Sequence, residues 1–360
     1  MSPDSIHLEV HRAVRSALVP VSLAITLAVA ACGASGSPTP PSSASIQTAA
    51  PSMSAPASIA PVALTVGLGY IPSVQFAQFY LADRAGYYRD AGLAVTLQNQ
   101  IDPNLITLVG QGAIDIGVGD GTSIIPAVSQ GIPVVYAATV YGKFPSIVVA
   151  GASSGIRTAA DLKGKKIGIP GKYGSSWIML QALLGSAGLK PADVTVVLYP
   201  DYGQATALQQ GVVDAATGFS NNEPVMLEQA GFHTVVLTVD AIVPLPGPGL
   251  VTGVATLAAK KAALAAFTSA TLRAMNEIAA APQQGLDATF AAVPDLAKEP
   301  ALQRAILDAT IATWKSPTAG TSFGAIDSTA WQKSLDYLTT LGLVPNKVTV
   351  DQLVSTTLLP

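Results

Sequence analysis

Residues 69–93 read Gly-Tyr-Ile-Pro-Ser-Val-Gln-Phe-Ala-Gln-Phe-Tyr-Leu-Ala-Asp-Arg-Ala-Gly-Tyr-Tyr-Arg-Asp-Ala-Gly-Leu. An apolar run with β-branched residues, Val62–Leu68, precedes this stretch, and a second run, Ala94–Leu97, follows it; both are typical of strands. The bulky residues of Val74–Asp83 have helical spacing, and Gly86 can end that helix in a left-handed conformation. The stretch therefore predicts a strand–helix–strand unit.

The turn between the first strand and the helix carries Tyr70 and Gln75. Ligands of open α/β sheets bind outside the carboxyl ends of the strands, which is where such a turn lies. Two interpretations are open for an aromatic side chain at this point. It contacts a ligand, or it is a buried side chain that packs the strand–helix unit.

The same residues resemble the opening of periplasmic-type solute-binding proteins of ABC importers, in the branch that binds thiamine pyrimidine precursors, alkylsulfonates and riboflavin. Members of this branch carry a similar Gly-Tyr-Ile-Pro-x-x-Gln-Phe-Ala start followed by a Gly-Tyr-Tyr element. The resemblance extends from about Val62 to near the C-terminus. It implies the type II periplasmic-binding-protein fold, which is an α/β architecture of two lobes with a ligand cleft between them.

The N-terminal residues have the pattern of a bacterial lipoprotein signal. Arg12 and Arg15 precede the apolar run Ala17–Ala31, which is short for a bilayer span but suits a signal peptide. The run ends Val29-Ala30-Ala31-Cys32, which matches the lipobox, and Cys32 is the only cysteine of the 360 residues. We therefore expect residues 1–31 to be removed and Cys32 to be lipidated, which anchors the protein to the cell membrane on its extracytoplasmic side.

Residues 32–61 are rich in Ser, Pro, Ala, Gly and Thr and carry almost no charge. Such a segment buries too little apolar surface to offset the entropy of ordering it, so it predicts a disordered tether. The whole chain has a net charge of −3 and only 11% charged residues. This composition lacks the basic surface that nucleic-acid binding requires.

Strand and helix patterns alternate along the chain after the tether, which predicts a mainly parallel sheet. We assign residues 62–150 and 254–360 to lobe I and residues 151–253 to lobe II, because a Pro- and Gly-rich segment near residues 244–250 suits a return to the first lobe. In lobe I, Asp120 lies in a Gly-rich turn after a predicted strand. The family resemblance implies that this turn faces the ligand.

Lobe II opens with Asp-Leu-Lys-Gly-Lys-Lys-Ile-Gly at residues 161–168, a pattern widespread among type II solute-binding proteins. A Gly/Ser turn then opens a helix and contains Tyr173, Ser175, Ser176 and Trp177. Free backbone N–H groups and serine hydroxyls at a helix start can bind a carboxylate, sulfonate, phosphate or carbonyl oxygen. Ordinary N-capping by one of the two serines is the alternative.

Polar residues also follow the predicted strand Val213–Thr217. Asn221, Asn222 and Glu223 cluster there, just before Pro224. Asn222 suits an N-cap and Pro224 a first helical turn, so a purely structural role is one interpretation. Two adjacent asparagines and a glutamate exceed what one cap needs, and the resemblance implies that this loop lies in the cleft. They are therefore the main polar ligand candidates.

The chain lacks the residues of common catalytic sites. Of its three histidines, His7 and His11 belong to the expected signal, so His233 and the single cysteine leave no His/Cys metal cluster and no Cys–His nucleophile pair. Neither a Gly-x-Ser-x-Gly elbow nor a P-loop is present. Pyrimidine synthases related to this branch use a histidine and a cysteine-rich motif. This sequence lacks both features, so the comparison with those synthases argues against an enzyme. We expect no cofactor and no metal.

The candidate cleft residues are mostly aromatic or neutral hydrogen-bonding side chains, which suit a neutral planar heterocycle. A sulfonate or phosphate would prefer arginine, and no candidate loop contains one. The resemblance is strongest to riboflavin-binding members, then to binders of thiamine pyrimidine precursors; an alkylsulfonate-binding protein and a pyrimidine-synthase-like enzyme are the alternatives. The candidate ligand-binding residues are Tyr70, Gln75, Asp120, Tyr141, Phe144, Tyr173, Ser175, Ser176, Trp177, Asn221, Asn222 and Glu223.

The family resemblance also implies a mechanism and partners. Two lobes joined by crossing segments can close on a small molecule and present a new surface to a transporter. We therefore predict a protein that binds its ligand by lobe closure and delivers it to the permease and ATPase subunits of an importer.

Overall fold

The computed structural model describes residues 60–360 except residues 241, 317 and 319. The expected signal peptide, the lipidation site Cys32 and all but the last two residues of the tether lie outside the described residues. Among the described residues, no helix combines the length and the apolar composition that crossing a bilayer requires.

The strands form two five-stranded sheets. They are β1 (Val62–Gly67), β2 (Leu93–Gln98), β3 (Ile116–Gly119), β4 (Val134–Thr139), β5 (Ser146–Gly151), β6 (Lys166–Ile169), β7 (Thr195–Leu198), β8 (Ala215–Phe219), β9 (Thr234–Leu237) and β10 (Gly249–Gly253).

Helices pack against both sheets. They are α1 (Ala77–Arg84), α2 (Tyr87–Asp90), α3 (Leu105–Gly110), α4 (Gly121–Ser129), α5 (Gly174–Ser186), α6 (Gln204–Gln209), α7 (Glu223–Gln229), α8 (Val254–Ala280), α9 (Pro282–Ala292), α10 (Pro300–Trp314), α11 (Ser328–Thr340) and α12 (Val350–Leu353). Short 3-10 turns lie at Val74–Phe76, Ala159–Leu162, Pro191–Asp193 and Pro294–Lys298.

The opening stretch forms the expected strand–helix–strand unit, in which β1 and β2 pair in parallel. The helix expected over Val74–Asp83 begins as the 3-10 turn and continues as α1. The Ser73 hydroxyl accepts the N–H of Gln75 at 3.3 Å and so caps this start. Gly86 follows α1 with a φ of +78°, the left-handed conformation that ends helices.

The first sheet has the strand order β2–β1–β3–β10–β4. β1 is parallel to β2 and β3, whereas β10 is antiparallel to β3 and β4. Gly249, the first residue of β10, pairs with Gly119 and Thr139 at the carboxyl ends of its neighbours. Because the returning chain enters the sheet at that edge, it must run in the opposite direction.

The second sheet has the order β7–β6–β8–β5–β9. β6 is parallel to β7 and β8, and β5 is antiparallel to β8 and β9. Ser146, where β5 begins, pairs with Phe219, where β8 ends. The chain therefore enters both sheets at the edge where the parallel strands end, and each sheet is mixed rather than wholly parallel.

The crossings between the sheets lie at residues 140–145 and 238–248. Residues 146–150, which the sequence analysis assigns to lobe I, belong to β5 of the second sheet. Residues 249–253, which it assigns to lobe II, form β10 of the first sheet. The division of the chain into two lobes stays a prediction.

Candidate ligand-binding site

Loops that follow the parallel strands of both sheets meet in one region. Tyr70 lies in the turn after β1, and Gln75 lies one turn further on. Tyr202 follows β7, and Asn221 follows β8. Gln75 is hydrogen-bonded to Asn221, and Tyr70 packs on Tyr202, so these loops touch across the boundary between the sheets. This is where ligands of α/β sheets bind, which makes it the candidate site.

The side-chain amide of Asn221 lies at the centre of the region. Its Nδ2 donates to Oε1 of Gln75 at 3.0 Å and to Oγ1 of Thr310 at 2.9 Å, and all three side chains are buried. Nε2 of Gln75 donates to the Ser73 hydroxyl at 3.2 Å, which fixes the orientation of that amide. Both Nδ2 hydrogens of Asn221 are therefore used, while its Oδ1 has no hydrogen-bond partner among the described residues and remains an acceptor.

Tyr141, in the first crossing between the sheets, lies beside this amide. Burial raises the pKa of the Tyr141 hydroxyl well above its usual value, although the neighbouring polar side chains of Asn221 and Thr310 act in the opposite direction. The phenol is therefore neutral at physiological pH. It adds an aromatic surface and a hydroxyl to the group around Asn221.

Glu223, the first residue of α7, is a buried carboxyl group. Its Oε2 accepts the backbone N–H of Phe219 at 2.7 Å. Burial raises the pKa of Glu223 to about 7, although the Phe219 N–H, its own N–H and the Asn222 side chain all favour the ionised form. Asn222 is the residue before α7, but its side chain makes no capping bond to the helix. The loop thus carries a carboxyl group that changes between its protonated and its ionised form near neutral pH.

Tyr70 and Tyr202 form an edge-to-face aromatic pair, with ring centroids 5.0 Å apart and planes at 80°. Both rings are partly buried. Burial and the nearby Glu223 carboxyl raise the pKa of Tyr70 above its usual value. Burial and the neighbouring Tyr173 and Glu223 raise the pKa of Tyr202 to about 12. Tyr70 and Tyr202 are therefore in contact, and the charge of Glu223 acts on both.

The start of α5 has no side-chain cap. Tyr173 precedes the helix and is 47% exposed, and Gly174 takes a left-handed φ of +60°. Ser175 and Ser176 lie inside the first turn, so neither acts as the N-cap that was the alternative interpretation. Trp177 is partly buried against the core of the second sheet. The first N–H groups of this 13-residue helix are left without a capping side chain.

The Asp120 side chain forms hydrogen bonds with the first turn of the helix that it precedes, α4. Its Oδ1 accepts the backbone N–H groups of Thr122 at 3.0 Å and Ser123 at 3.1 Å, and the Thr122 hydroxyl at 2.6 Å. These bonds cap the start of α4. Burial nevertheless raises the pKa of the carboxyl group. A contact of Asp120 with ligand stays a prediction.

A cavity of about 640 Å³ lies against the two crossings between the sheets. Tyr141 and Phe144 line it, together with Trp314, Phe323 and Trp331. None of the other sequence-predicted ligand residues lines this cavity. The predicted residues therefore divide between the loop cluster around Asn221 and Glu223, the start of α5, the cap of α4 and the wall of this cavity.

Two residues of the cluster were not found from the sequence. Tyr202 falls in a segment whose pattern predicts a helix from that residue, whereas α6 begins at Gln204. The Tyr-Pro-Asp-Tyr-Gly run at residues 199–203 is a turn signal at the end of a strand and could have indicated it. Thr310 lies within α10, and no local signal marks it. In the part of the chain that the structure describes, no three His, Cys, Asp or Glu side chains are grouped so as to hold a metal ion.

Comparison with known proteins identifies the family. A family model described as "NMT1/THI5 like" matches residues 73–285. The chain is 30% identical to the riboflavin-binding protein RibY of Chloroflexus aurantiacus over 337 residues, which cover 92% of this chain and 94% of that protein. It is 27% identical to a 4-amino-5-hydroxymethyl-2-methylpyrimidine phosphate synthase of Legionella pneumophila over 183 residues, 51% of this chain and 57% of that one.

Solved structures give the fold. The periplasmic aliphatic sulphonate binding protein SsuA of Escherichia coli superimposes with a TM-score of 0.64 at 20% identity, over 83% of this chain and 99% of that one. The predicted fold class is thus confirmed: the two mixed α/β sheets form the fold of periplasmic solute-binding proteins. The resemblance seen in the sequence is also confirmed, and this chain belongs to the NMT1/THI5-like family.

Proposed function

We propose that this protein is the extracytoplasmic solute-binding lipoprotein of an ABC importer and that its ligand is riboflavin. The observation that carries the proposal is the 30% identity to a riboflavin-binding protein over nearly the full length of both chains. The solute-binding fold agrees with it. The relatives named as pyrimidine phosphate synthases match over about half of this chain.

The chemistry of the loop cluster supports a neutral, flat ligand. Tyr70 and Tyr202 offer aromatic rings in the loop cluster, and Trp177 offers another in the first turn of α5. Asn221 Oδ1 can accept a hydrogen bond from a ring N–H, and Glu223 can accept or donate one because its pKa is about 7. Such groups match the imide and carbonyl edge of a flavin.

The same residues disfavour an alkylsulfonate. A sulfonate is best bound by the bidentate fork of arginine. No arginine of the described residues lies in the loops of the cluster, and Lys143 and Lys172, which are next to Phe144 and Tyr173 in the sequence, are both exposed. The Glu223 carboxyl group would also repel an anion whenever it is ionised.

Capture of the ligand would use the two crossings as a hinge. The contacts Gln75–Asn221 and Tyr70–Tyr202 join the loops of the two sheets, so the lobes would separate at these contacts to admit a ligand and close again to surround it. We place the lobe limits in the crossings at residues 140–145 and 238–248. Lipidation at Cys32 and the tether would keep the domain beside its permease. The twelve residues predicted from the sequence remain the proposed ligand contacts.

Titration calorimetry of the purified chain tests this function. Riboflavin is expected to bind, a hydroxymethylpyrimidine to bind more weakly, and taurine not to bind. Asn221→Leu, which removes the side-chain amide, and Trp177→Ala should weaken riboflavin binding, whereas Gln283→Ala, at an exposed position of α9, should not. Binding of taurine without any response to riboflavin would contradict the ligand but not the importer.

A pyrimidine-converting enzyme is the second candidate, because relatives of that name match 27% of positions over half of the chain. Incubation of the chain with pyridoxal phosphate, followed by mass spectrometry for a hydroxymethylpyrimidine product, separates the two. We expect no product. Formation of product by the wild type would replace the binding function with an enzymatic one.

A further inference from the structure

Residues 221–226 follow β8 of the second sheet but contact elements that pack on the first. They comprise the short loop after β8 and the first turn of α7. Asn221 and Asn222 are both buried, although they lie in a connection between a strand and a helix. Such connections usually run over the surface, where water satisfies their polar groups. The burial of this one therefore indicates an interface between the two halves of the chain.

Three side chains of residues 221–226 make this interface. Nδ2 of Asn221 donates to Oγ1 of Thr310, in the middle of α10, at 2.9 Å. Val225 packs against the apolar cluster that α1, α8 and α10 build on the first sheet. Met226 lines a groove of about 360 Å³, and Leu302, near the start of α10, lines the same groove. We call these three interactions the α7 contact.

The other end of α10 is bound to the first crossing between the sheets. The N–H groups of Gly142 and Lys143 donate to the carbonyls of Trp314 at 3.3 Å and Thr313 at 3.1 Å. A side chain at Gly142 would overlap the backbone of Ser316, so only glycine permits this approach. The last residues of α10 are therefore fixed to a segment that the proposed closure uses as its hinge.

The three positions on α10 lie at different distances from that hinge. An α-helix rises 1.5 Å per residue, so Thr310 is about 6 Å and Leu302 about 18 Å along the axis from Trp314. A rotation about the crossings displaces each contact in proportion to its distance from them. Separation of the lobes is therefore smallest at Trp314 and largest at the groove between Met226 and Leu302.

We propose that the α7 contact opens from its outer end, at Met226 and Leu302, to admit the ligand, and that it holds the lobes together after capture. This inference rests on the lobe closure of the proposed function and adds the place where the cleft opens. The outer end is suited to opening because Met226 is 41% exposed and Leu302 is only partly buried. Contacts with little buried apolar surface open at a lower free energy than a core does.

Distances between spin labels test the opening without any ligand. Cysteines replace Met226 and Leu302 in one double variant, and the exposed residues Lys143 and Ala312, at the crossing end of α10, in another. Both variants carry Cys32→Ser, which removes the only native cysteine. Double electron–electron resonance should give a broad distribution with a second, longer distance for the outer pair and a narrow distribution for the crossing pair. Equal widths for the two pairs overturn the proposal.

Cross-linking of the outer cysteine pair with a short bismaleimide tests its role in capture. Protein that is cross-linked first should fail to bind riboflavin, and protein that is loaded first should retain riboflavin on dilution. The matched control joins Gln283→Cys and Asp287→Cys, two exposed positions within α9, and should bind and release riboflavin as the wild type does. Normal binding and release by the cross-linked outer pair overturn the proposal.

Circular dichroism establishes that each variant is folded. If the outer pair is not, Gln229→Cys and Ala301→Cys, which line the same groove, replace it.

The two proposals fail separately. If wild-type protein does not bind riboflavin, the proposed ligand is wrong, and the spin-label distances alone decide whether the α7 contact opens. If riboflavin binds and the cross-linked outer pair neither blocks its entry nor retains it, the function stands and the opening at the α7 contact is wrong.

Discussion

Asn221 donates its side-chain amide to Gln75 at 3.0 Å, and this bond joins the loop after β8 of the second sheet to the helical turn after β1 of the first. The two residues are 146 positions apart in the chain, and both are buried. The same amide also donates to Thr310 of α10. Three distant segments thus depend on one side chain, and its removal has consequences for stability.

Asn221→Ala should lower the free energy of unfolding by about 1 to 3 kcal/mol, because it leaves buried oxygen atoms of Gln75 and Thr310 without their donor. Urea denaturation followed by circular dichroism measures this. The control is Gln283→Ala, which breaks an exposed bond to Asp287 and should change stability by less than about 0.5 kcal/mol. Equal effects of the two substitutions would show that the Asn221 bonds do not link the segments.

Glu223 should make the stability depend on pH. Its pKa is about 7 in the folded chain against the ordinary 4.5, so the folded state binds more protons than the unfolded state between these values. The stability associated with the neutral carboxyl is therefore complete below pH 4.5 and is lost as the pH rises through 7. The difference between these two pKa values corresponds to about 3 kcal/mol of unfolding free energy. Urea denaturation at several pH values from 4 to 8 should show this loss in wild type and a flatter profile in Glu223→Gln.

The control for the pH experiment is Glu299→Gln, an exposed glutamate, which should keep the wild-type profile. A Glu223→Gln profile that matches wild type would mean that another group titrates in this window.

Asp120 should act as a helix cap. Asp120→Ala is expected to lower the free energy of unfolding by about 0.5 to 2 kcal/mol, because it removes the acceptor of the Thr122 and Ser123 N–H groups. Asp327→Ala is a matched control, since Asp327 caps α11 through the same pair of bonds at the protein surface. Titration calorimetry with riboflavin then distinguishes helix capping by Asp120 from ligand contact. Asp120→Asn keeps the cap, so a tenfold loss of riboflavin affinity in that variant would indicate that Asp120 contacts the ligand.

Lys260 should stabilise the junction between β1, β3 and α8. The backbone of α8 is not helical at Lys260, and its Nζ donates to Oδ1 of Asp115 at 2.8 Å, while Oδ2 of Asp115 accepts the N–H of Thr65. Asp115 is mostly buried and Lys260 is partly exposed, so Lys260→Ala should cost about 1 to 2 kcal/mol, between the values for exposed and buried pairs. Lys261→Ala, one residue further, is the control and should have little effect in thermal denaturation. Similar melting temperatures of the two variants would contradict this role.

Much of the fold could be predicted from local patterns. The run after Val62 and the turn at Ser73 indicate β1 and the start of α1, because alternation of strand and helix patterns and capping residues act over a few positions. The antiparallel direction of β5 and β10 could not be predicted in this way. It arises from where the crossing chain enters each sheet, which depends on how the two sheets are arranged.

The candidate site was predicted in part. Polar and aromatic residues after strands indicated Tyr70, Asn221 and Glu223, since the carboxyl ends of parallel strands lie at one edge. The sequence did not distinguish Asp120, whose carboxyl group is taken up by its own helix, from residues free to face a ligand. An aspartate that caps a helix and an aspartate that contacts a ligand both occur in the turn that follows a strand.

The sequence by itself determined the family, the α/β elements and the neutral, aromatic character of the loops, because these follow from residue types and short spacings. Only the tertiary structure decided which loops touch. It brought Gln75, Asn221 and Thr310 into one hydrogen-bonded group and set Tyr202 against Tyr70. The physical reason is that a buried hydrogen bond or an aromatic contact between distant segments depends on the packing of both sheets at once, and no local pattern in the chain records it.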